Sequence, residues 1–586
     1  MAVEPDQILA ETLSQFFKAL TNEEKRLASH LQNDRLGLAM RAALNELALH
    51  DYLAGRKSKA TENDQERSYF MRLGVARLVK IALESHDSFD APTVTFQRHP
   101  GISIPVLRLI DTLGIVEHGR RIAQSVTAGV ASISRDGDEF ILKLPAKLPD
   151  HEYRERVLAS AYKDHARRAM SERLRSPLGH QLGEEVSNLF DELVYPFAQH
   201  FIGYEAHPTL DDAFFGLAYH EIAISDEYDN FHYKTCFGGI PFQNWKLAAA
   251  FILSVAMRHE RFAEALVKKN PNIRIEDILT VSVNTTPFVE ALRDAINHFG
   301  STFDGHNEIT LSQARCIFET LSINRRNTRL LDRPGSPFPP LIQCSDEHVI
   351  RPLFGAKDDL MLFVLTSIQF HFPSDYDSAQ QQREHAMQLA TKRILGNAMP
   401  ALEFRNNIII RRTGRKVTDL DLVVIEPSSG EILLCQFKHQ DPYGADLAAK
   451  KERTSRLKQQ TERWIAGVRA WLASIAPQDL RSTLRLSRNV RLHRVRLLIL
   501  TRHFAHTLQE FARDPDVVCS NWNQLVTATD LVTKAGTPDL DKIVTRLRSI
   551  VQPAEEDEFL PEPKAEWEVG DLKFSIVQID STGSPA

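Results

Sequence analysis

The chain lacks the features that mark export, membrane insertion or a cysteine-based scaffold. It contains no apolar run long enough to cross a bilayer, and its first residues, MAVEPDQILAETL, are acidic and polar instead of basic and then apolar. Its five cysteines are scattered singly without a CxxC pair, so neither a disulfide framework nor a zinc site is indicated. We therefore expect a cytoplasmic protein with no membrane partner.

The chain as a whole has no excess of positive charge, but positive charge is concentrated in one part of it. The net charge is -6, yet residues 401–500 hold 19 Lys and Arg against 10 Asp and Glu, a local net charge of +9. The phosphate backbone of a nucleic acid is the commonest partner for such a patch, and a solvated basic face is the ordinary alternative. The local excess therefore indicates either a nucleic-acid partner, DNA or RNA, or a solvated basic face.

The 586 residues exceed one ordinary domain, and the pattern along them divides the chain into four parts. Residues 1–332 carry apolar side chains at helical spacing and predict a mostly helical region of one or more domains. We expect this region to have a recognition or regulatory role, through a target or a protein partner. One β-hairpin interrupts them, at SVTAGVASISRDGDEFILKLP. The proline-rich stretch RPGSPFPP then begins a linker and connecting helix over residues 333–376. Residues 377–550 predict an α/β domain, and residues 551–586 predict an acidic flexible tail.

The α/β domain shows a definite order of elements. A helix with its N-cap at Asp377 or Ser378 precedes three strand-like runs, and a long helix and a buried strand follow. The three runs are FRNNIIIRR, TDLDLVVIE and EILLCQFKH. The fold class we expect is thus α+β, with a large helical N-terminal region and a smaller α/β domain.

Polar residues at alternate positions of these strands form a candidate site. Alternation puts Asp419 and Asp421 on one face of the second strand, and Gln436 and Lys438 on one face of the third. A turn at SSG brings the two strands together. Carboxylate and amide oxygens suit Mg²⁺ or Mn²⁺, and a lysine nearby would stabilise developing negative charge. Glu384, in line with the inward stripe of the preceding helix, would be a third oxygen ligand.

This arrangement resembles the core of the PD-(D/E)XK nuclease superfamily, which includes restriction endonucleases. The order of elements, Asp421, and the Gln-Phe-Lys triplet at 436–438 are most similar to the QxK form of the Mrr-type branch, over about residues 375–530. The resemblance implies a restriction-endonuclease-like αβββαβ core and a metal-dependent endonuclease that cuts DNA, in bacterial restriction or anti-phage defence. It implies that Asp421, Glu384 and Gln436 bind the metal and that Lys438 activates water.

Several alternatives stay open at this point. Asp419 is expected to lie beside the site, and Glu403 is the alternative to Glu384 as a carboxylate ligand of the metal. A run of cations at the start of the long helix is either a solvated face or a grip on the DNA backbone: Lys450, Lys451, Arg453, Arg456 and Lys458. The domain would bind nucleic acid without cutting if Gln436 marks lost catalysis, or the chain would be a helical protein-interaction scaffold. Cutting both strands with one site per chain would favour a homodimer.

Overall fold

The computed structural model shows an α+β protein with a helical N-terminal region and several small sheets. No helix in the described part of the chain is both long enough and apolar enough to cross a membrane. The structure describes residues 5–29, 33–57, 62–85, 97–129, 131–145, 168, 171, 175–225, 231–333, 336–412, 414–440, 447–487, 490–503, 505–508, 510–551 and 564–579.

Helices dominate the first two thirds of the chain, as the helical spacing of apolar residues predicts. They are α1 (Pro5–Ser29), α2 (Asn33–Gly55), α3 (Glu62–Ser85), α4 (Pro100–Thr127), α5 (Pro177–Leu193), α6 (Pro208–Ser225), α7 (Phe242–Lys269), α8 (Thr285–Gly300), α9 (Leu311–Leu321), α10 (Leu353–Lys357) and α11 (Leu360–His371). The strands are β1 (Ser132–Asp136), β2 (Glu139–Pro145), β3 (Val194–Phe197), β4 (Phe201–Tyr204), β5 (Cys236–Phe237), β6 (Ile240–Pro241), β7 (Val281–Asn284), β8 (Ser322–Ile323), β9 (Leu341–Gln343) and β10 (His348–Arg351). The predicted hairpin is confirmed, since β1 and β2 pair antiparallel around Gly137.

The proline-rich segment differs from the linker predicted over residues 333–376. The strands β9 and β10 that follow it form one sheet with β7 and β8, in the order β7-β10-β9-β8. Phe338 is buried among the prolines, and a single hydrophobic core runs from Leu36 to Ala379. The prolines interrupt helix and ladder hydrogen bonds, but an extended apolar segment can still be packed into a core. The segment is therefore part of the N-terminal region.

The C-terminal part contains a five-stranded mixed sheet covered on both faces by helices. Its elements are α12 (Pro373–Ala398), β11 (Glu403–Arg412), β12 (Arg415–Glu426), β13 (Glu431–Lys438), α13 (Leu447–Ser474), α14 (Pro477–Thr483), β14 (Arg494–Thr501), β15 (Val517–Asn521), α15 (Trp522–Lys534) and α16 (Leu540–Val551). The strand order is β11-β12-β13-β14-β15; the first two pairings are antiparallel and the last two parallel. The order helix, three strands, helix, strand agrees with the prediction. Burial on both faces explains why β13 and β14 are continuous apolar runs.

Two hydrophobic cores lie on the two sides of this sheet. The α12-side core packs Leu422 and Val424 against α12, α15 and α16, and the α13-side core packs Val423 and Ile425 against α13. The turn between β12 and β13 ends at Gly430, whose φ is +76°; a Cβ there would lie 1.7 Å from the carbonyl oxygen of Arg491. Only glycine fits that turn, so the pairing of the two strands is tightly determined.

The C-terminal residues 564–579 differ from the flexible tail predicted over residues 551–586. They form β16 (Lys564–Val569) and β17 (Leu572–Ile579), and β17 pairs parallel with β2 in a sheet of order β1-β2-β17-β16. The physical reason is burial: Phe574 packs against Phe16, and both belong to one core. The acidic stretch that suggested flexibility, residues 552–563, lies outside the described residues.

Candidate active site

Asp421 marks a change in the alternation of side chains along β11 and β12. On either side of it, residues two apart point to opposite faces of the sheet, one toward α12 and the other toward α13. Leu420 packs in the α13-side core and Leu422 in the α12-side core, although alternation would put them on one face. The residue opposite Asp421 on β11 is Asn407, which has a left-handed φ of +50°. The pairs on either side of it are Asn406–Leu422 and Ile408–Leu420. Asp419 and Asp421 therefore do not simply share a face, as the prediction from alternation had them. The irregularity turns Asp421 toward β13.

The carboxylate of Asp421 is held by the neighbouring strand. Its Oδ2 accepts hydrogen bonds from the backbone N–H of Phe437 at 2.7 Å and from Nε2 of Gln436 at 2.6 Å. Gln436 is only 7% exposed, so its side chain has little freedom. The nitrogen end of the Gln436 amide is engaged with Asp421, so the carbonyl oxygen Oε1 is the end that is left for a ligand.

The pKa of Asp421 is raised from its ordinary value to about 6. Burial is the largest cause, because it penalises the charged form, and the negative charges of Glu384 and Asp419 add to it. The Phe437 N–H and the Lys438 ammonium act in the opposite direction. A carboxyl group whose pKa is raised by burial and by neighbouring carboxylates is a common property of functional sites.

Glu384 and Lys438 meet beside this carboxylate. Lys438 is the last residue of β13, and its Nζ lies 3.5 Å from Oε1 of Glu384 on α12; the side chains are 22% and 42% exposed. Met387 and Thr391, which follow on the same helix stripe, are fully buried. The helix stripe, the end of β13 and the bend in β12 thus bring together the four residues that the sequence singles out, Glu384, Asp421, Gln436 and Lys438.

Gln388 is a site residue that sequence reasoning missed. It is 2% exposed, and its Nε2 donates to the backbone oxygen of Asp421 and, at 3.3 Å, to Oδ1 of Asn407. His385 Nδ1 lies 3.1 Å from the Gln388 side-chain oxygen. One amide thereby joins α12 to the irregular positions of both strands. Its position one turn after Glu384, on a buried helix stripe, is the feature of the sequence that could have identified it.

The rival carboxylates have other contacts. Asp419 lies 3.2 Å from Lys416, and its backbone oxygen accepts a 2.9 Å hydrogen bond from Trp464 Nε1. Glu403 pairs with Arg405 at 2.5 Å on the first strand. Asp419 therefore acts on Asp421 through its charge, and Glu403 pairs locally on β11.

The predicted basic run lies at the start of α13, and Arg456 and Lys458 are among its members that have partners within the protein. Arg456 pairs with Glu452 at 2.8 Å and Lys458 with Glu510 at 3.3 Å. Arg453 is partly buried on the same helix, and Lys450 and Lys451 lie in its first turn. Two of these cations would have to exchange a carboxylate for a phosphate in order to bind DNA.

The donor set suits a hard divalent ion with few protein ligands. In the described part of the chain no group of three or more His, Cys, Asp or Glu side chains is placed to bind a metal. The candidate set has two carboxylates, Asp421 and Glu384, and the amide oxygen of Gln436, which is a pattern that Mg²⁺ accepts because it keeps several waters. A cation would also offset the burial and the neighbouring negative charges that raise the pKa of Asp421. No protein-family model, curated protein or solved structure matches the chain.

Proposed function

We propose that residues 377–550 are a nuclease domain of the PD-(D/E)XK type and that the protein hydrolyses phosphodiester bonds of DNA with a divalent metal. The observation that carries the proposal is the meeting of Asp421, Gln436, Lys438 and Glu384 from two strands and a helix, with Lys438 3.5 Å from Glu384 and Gln436 2.6 Å from Asp421. The mixed sheet, with an antiparallel β12–β13 pair and a parallel β13–β14 pair joined through α13, agrees with the αβββαβ core that the sequence resembles.

The residues would divide the work of hydrolysis between them. Asp421, Glu384 and the Gln436 carbonyl would hold Mg²⁺ or Mn²⁺, and the bound ion would polarise the phosphodiester and lower the pKa of water. Lys438 would orient the attacking water and stabilise the negative charge that develops on the phosphate oxygens. Water would lose a proton to solvent and form a new bond to phosphorus, one phosphorus–oxygen bond to a sugar would break, and the leaving oxygen would take up a proton from solvent. Gln388 would keep Asp421 in place through its backbone.

The helical N-terminal region would recognise the target or a protein partner, and restriction or anti-phage defence is the setting that such an architecture suggests. It is in direct contact with the helix that carries Glu384. Arg383, the preceding residue, lies 4.1 Å from the centre of the Phe231 ring, and Thr235 donates a 2.6 Å hydrogen bond to Gln382. A change in the N-terminal region would therefore reach Glu384 through one helix.

Substitution of one lysine tests the proposal. Lys438→Ala should abolish Mg²⁺-dependent cleavage of plasmid, linear, single-stranded and modified DNA, while its melting temperature stays close to that of the wild type. Lys534→Ala is the matched control, because Lys534 is an exposed lysine on α15 with its own carboxylate partner, Asp530, at 3.0 Å. EDTA should abolish wild-type cleavage. Cleavage by Lys438→Ala at the wild-type rate would contradict the proposal that Lys438 takes part in the reaction.

A second candidate is a protein of the same fold that binds nucleic acid without cutting it. The observation in its favour is Gln436, which supplies no charge where a third anionic ligand would strengthen metal binding. This candidate predicts salt-dependent binding of DNA with no product that depends on a metal. The same panel of DNA substrates with and without EDTA distinguishes the two.

A further inference from the structure

Strands β11 and β12 continue past the site as a two-stranded arm. The pairing of β12 with β13 ends at the pair Leu422 and Cys435. Beyond this point β11 and β12 stay paired with each other, from the pair Ile408 and Leu420 to the pair Arg412 and Arg415. We call residues 408–412 and 415–420 the β11–β12 arm. Six residues of β12 at strand spacing give it a length of about 20 Å. The arm therefore extends from the candidate site as a projection of the sheet.

The end of this arm is strongly basic. Arg411, Arg412, Arg415 and Lys416 are all exposed there, and the sequence from Phe404 to Thr418 contains no Asp or Glu. Lys416 pairs with Asp419 at 3.2 Å, with both side chains about half exposed. Exposed pairs of this kind contribute little to stability, so Lys416 can exchange its partner at small cost.

The two faces of the arm differ in what covers them. Ile408 and Ile410 are buried against α13, and Trp464 on that helix donates to the backbone of Asp419 at 2.9 Å. The other face carries Ile409, which is 47% exposed, and Arg411 two residues further along β11. The register shifts between Ile410 and Arg411 and leaves Val417 unpaired and packed against the α13-side core, so Lys416 is the partner of Arg411 on the open face. Asp419, the partner of Ile409, lies on this open face. It is the side of the sheet on which α12 holds Glu384.

The arm thus combines a rigid support with an open cationic face next to the site. A helix covers one side, so the backbone that carries the cations is already fixed and only their side chains lose conformational freedom on binding. Lys416 and Asp421 are five positions apart on β12, a distance of about 16 Å at strand spacing, which corresponds to a few nucleotides along one strand of a duplex. Fixed cations at that distance suit the polyanionic backbone that leads to a phosphodiester held at Asp421 and Lys438.

We propose that the open face of the β11–β12 arm, through Arg411 and Lys416, binds the phosphate backbone of the nucleic acid beside the cleaved bond. The proposal rests on the proposed function, because it takes the Asp421–Lys438 site as the place of the reacting phosphodiester. Arg412 and Arg415 belong to the opposite face and make little contribution. The arm then positions the substrate, and the run on α13, where Arg456 and Lys458 are already paired, is secondary.

Two double variants of the same hairpin test this. Arg411→Ala with Lys416→Ala removes two charges from the open face, and Arg412→Ala with Arg415→Ala removes two from the other. Binding of a 30-base-pair DNA duplex and of an RNA duplex of equal length is measured in EDTA over a range of salt concentrations. Two lost phosphate contacts should lower the slope of log K against log salt by about 2 and weaken binding at 0.1 M salt by roughly 10- to 100-fold. The second variant should bind like the wild type.

The outcomes separate this proposal from the nuclease assignment. Equal losses in both variants, loss in neither, or wild-type binding that does not depend on salt would each overturn the role of the open face. Tighter binding of the DNA or of the RNA duplex identifies which backbone the arm holds. Plasmid cleavage by the wild type with Mg²⁺ is scored independently, so a protein that binds through the arm and never cuts would keep the arm as a surface that binds the phosphate backbone and lose the cleaved bond beside it, which belongs to the proposed function.

Discussion

The side-chain amide of Gln436 donates a 2.6 Å hydrogen bond to Oδ2 of Asp421 across the β12–β13 pair. A neutral donor thus stands beside the carboxylate at the position where a second acid would repel it. The pair keeps Asp421 oriented before any ligand arrives, at the cost of one anionic ligand for a metal.

Gln436→Glu should make the site depend on divalent ions for its stability. Without metal the new carboxylate faces Asp421 at hydrogen-bond distance, and like charges in a partly buried place should cost about 1–3 kcal/mol. With Mg²⁺ it becomes a third anionic ligand, so half-saturation should occur at a Mg²⁺ concentration about tenfold lower than in the wild type. Melting temperature measured along a Mg²⁺ titration reports both effects.

Gln436→Met is the matched control for that experiment. It has a similar size and can neither repel Asp421 nor bind Mg²⁺ well, so its melting temperature should not respond to the ion more than that of the wild type. A Gln436→Glu protein that melts like the wild type in EDTA and in Mg²⁺ would mean that position 436 does not face the metal site.

The affinity of the site for a divalent metal ion should fall at low pH, because protons compete with the metal for the carboxylate of Asp421. Its pKa of about 6 means that the carboxyl is half protonated near pH 6 in the metal-free protein, whereas an ordinary aspartate is ionised there. Below this pH the affinity for Mn²⁺ should fall about tenfold per pH unit. Isothermal titration at pH 5, 6, 7 and 8 measures it, and Asp421→Asn should bind poorly at every pH. An affinity that is constant from pH 5 to pH 8 would contradict the role of Asp421 as a ligand.

Asn407 should be intolerant of β-branched residues. Its left-handed φ of +50° suits Asn or Gly and strains Val, and its side chain also accepts from Gln388. We expect Asn407→Val to cost about 1–3 kcal/mol and Asn407→Gly much less. Thermal unfolding measures the difference, with Asn406→Val as control, because Asn406 is an exposed, regularly paired neighbour on β11. Equal effects at 406 and 407 would show that the irregularity is dispensable.

Phe574→Ala should destabilise the N-terminal region, although residue 574 lies near the other end of the chain. The ring is fully buried, 5.6 Å from the centre of the Phe16 ring and 5.2 Å from that of Trp567. Removing a buried aromatic side chain costs about 3–5 kcal/mol. Lys573→Ala, on the exposed face of the same strand, is the control. The measurement is thermal unfolding followed by limited proteolysis, and an unchanged melting temperature would contradict the packing of β17 into this core.

Local sequence patterns predicted the elements around the site closely. The run FRNNIIIRR lies within β11, TDLDLVVIE within β12 and EILLCQFKH covers β13, because apolar residues and turn residues mark strands locally. The helix before them begins at Pro373, earlier than the predicted cap at Asp377 or Ser378, since proline is accommodated in the first helical turn.

The alternation of side chains along a strand does not itself show at which residue it is interrupted. The rule that residues two apart share a face fails between Leu420 and Leu422, because Asn407 on the neighbouring strand adopts a left-handed backbone. The place of Gln388 one turn after Glu384 could have marked it as a candidate, but its contacts with Asn407 and Asp421 are defined only once the strands are paired. The open face of the β11–β12 arm could likewise not be predicted from the sequence, because the two faces of the arm differ only once α13 covers one of them.

The pairing of β17 with β2 has a consequence for biosynthesis. Lys573 pairs with Glu139, more than 400 residues earlier, so β2 is made long before the strand that lies beside it. At ordinary rates of translation the interval is roughly 20 to 90 seconds. During that time one edge of β2 and the core around Phe16 lack their partner, which is the condition in which strand edges aggregate. The nascent N-terminal region therefore has to be kept soluble, by its own helices or by a chaperone, until the last strands emerge.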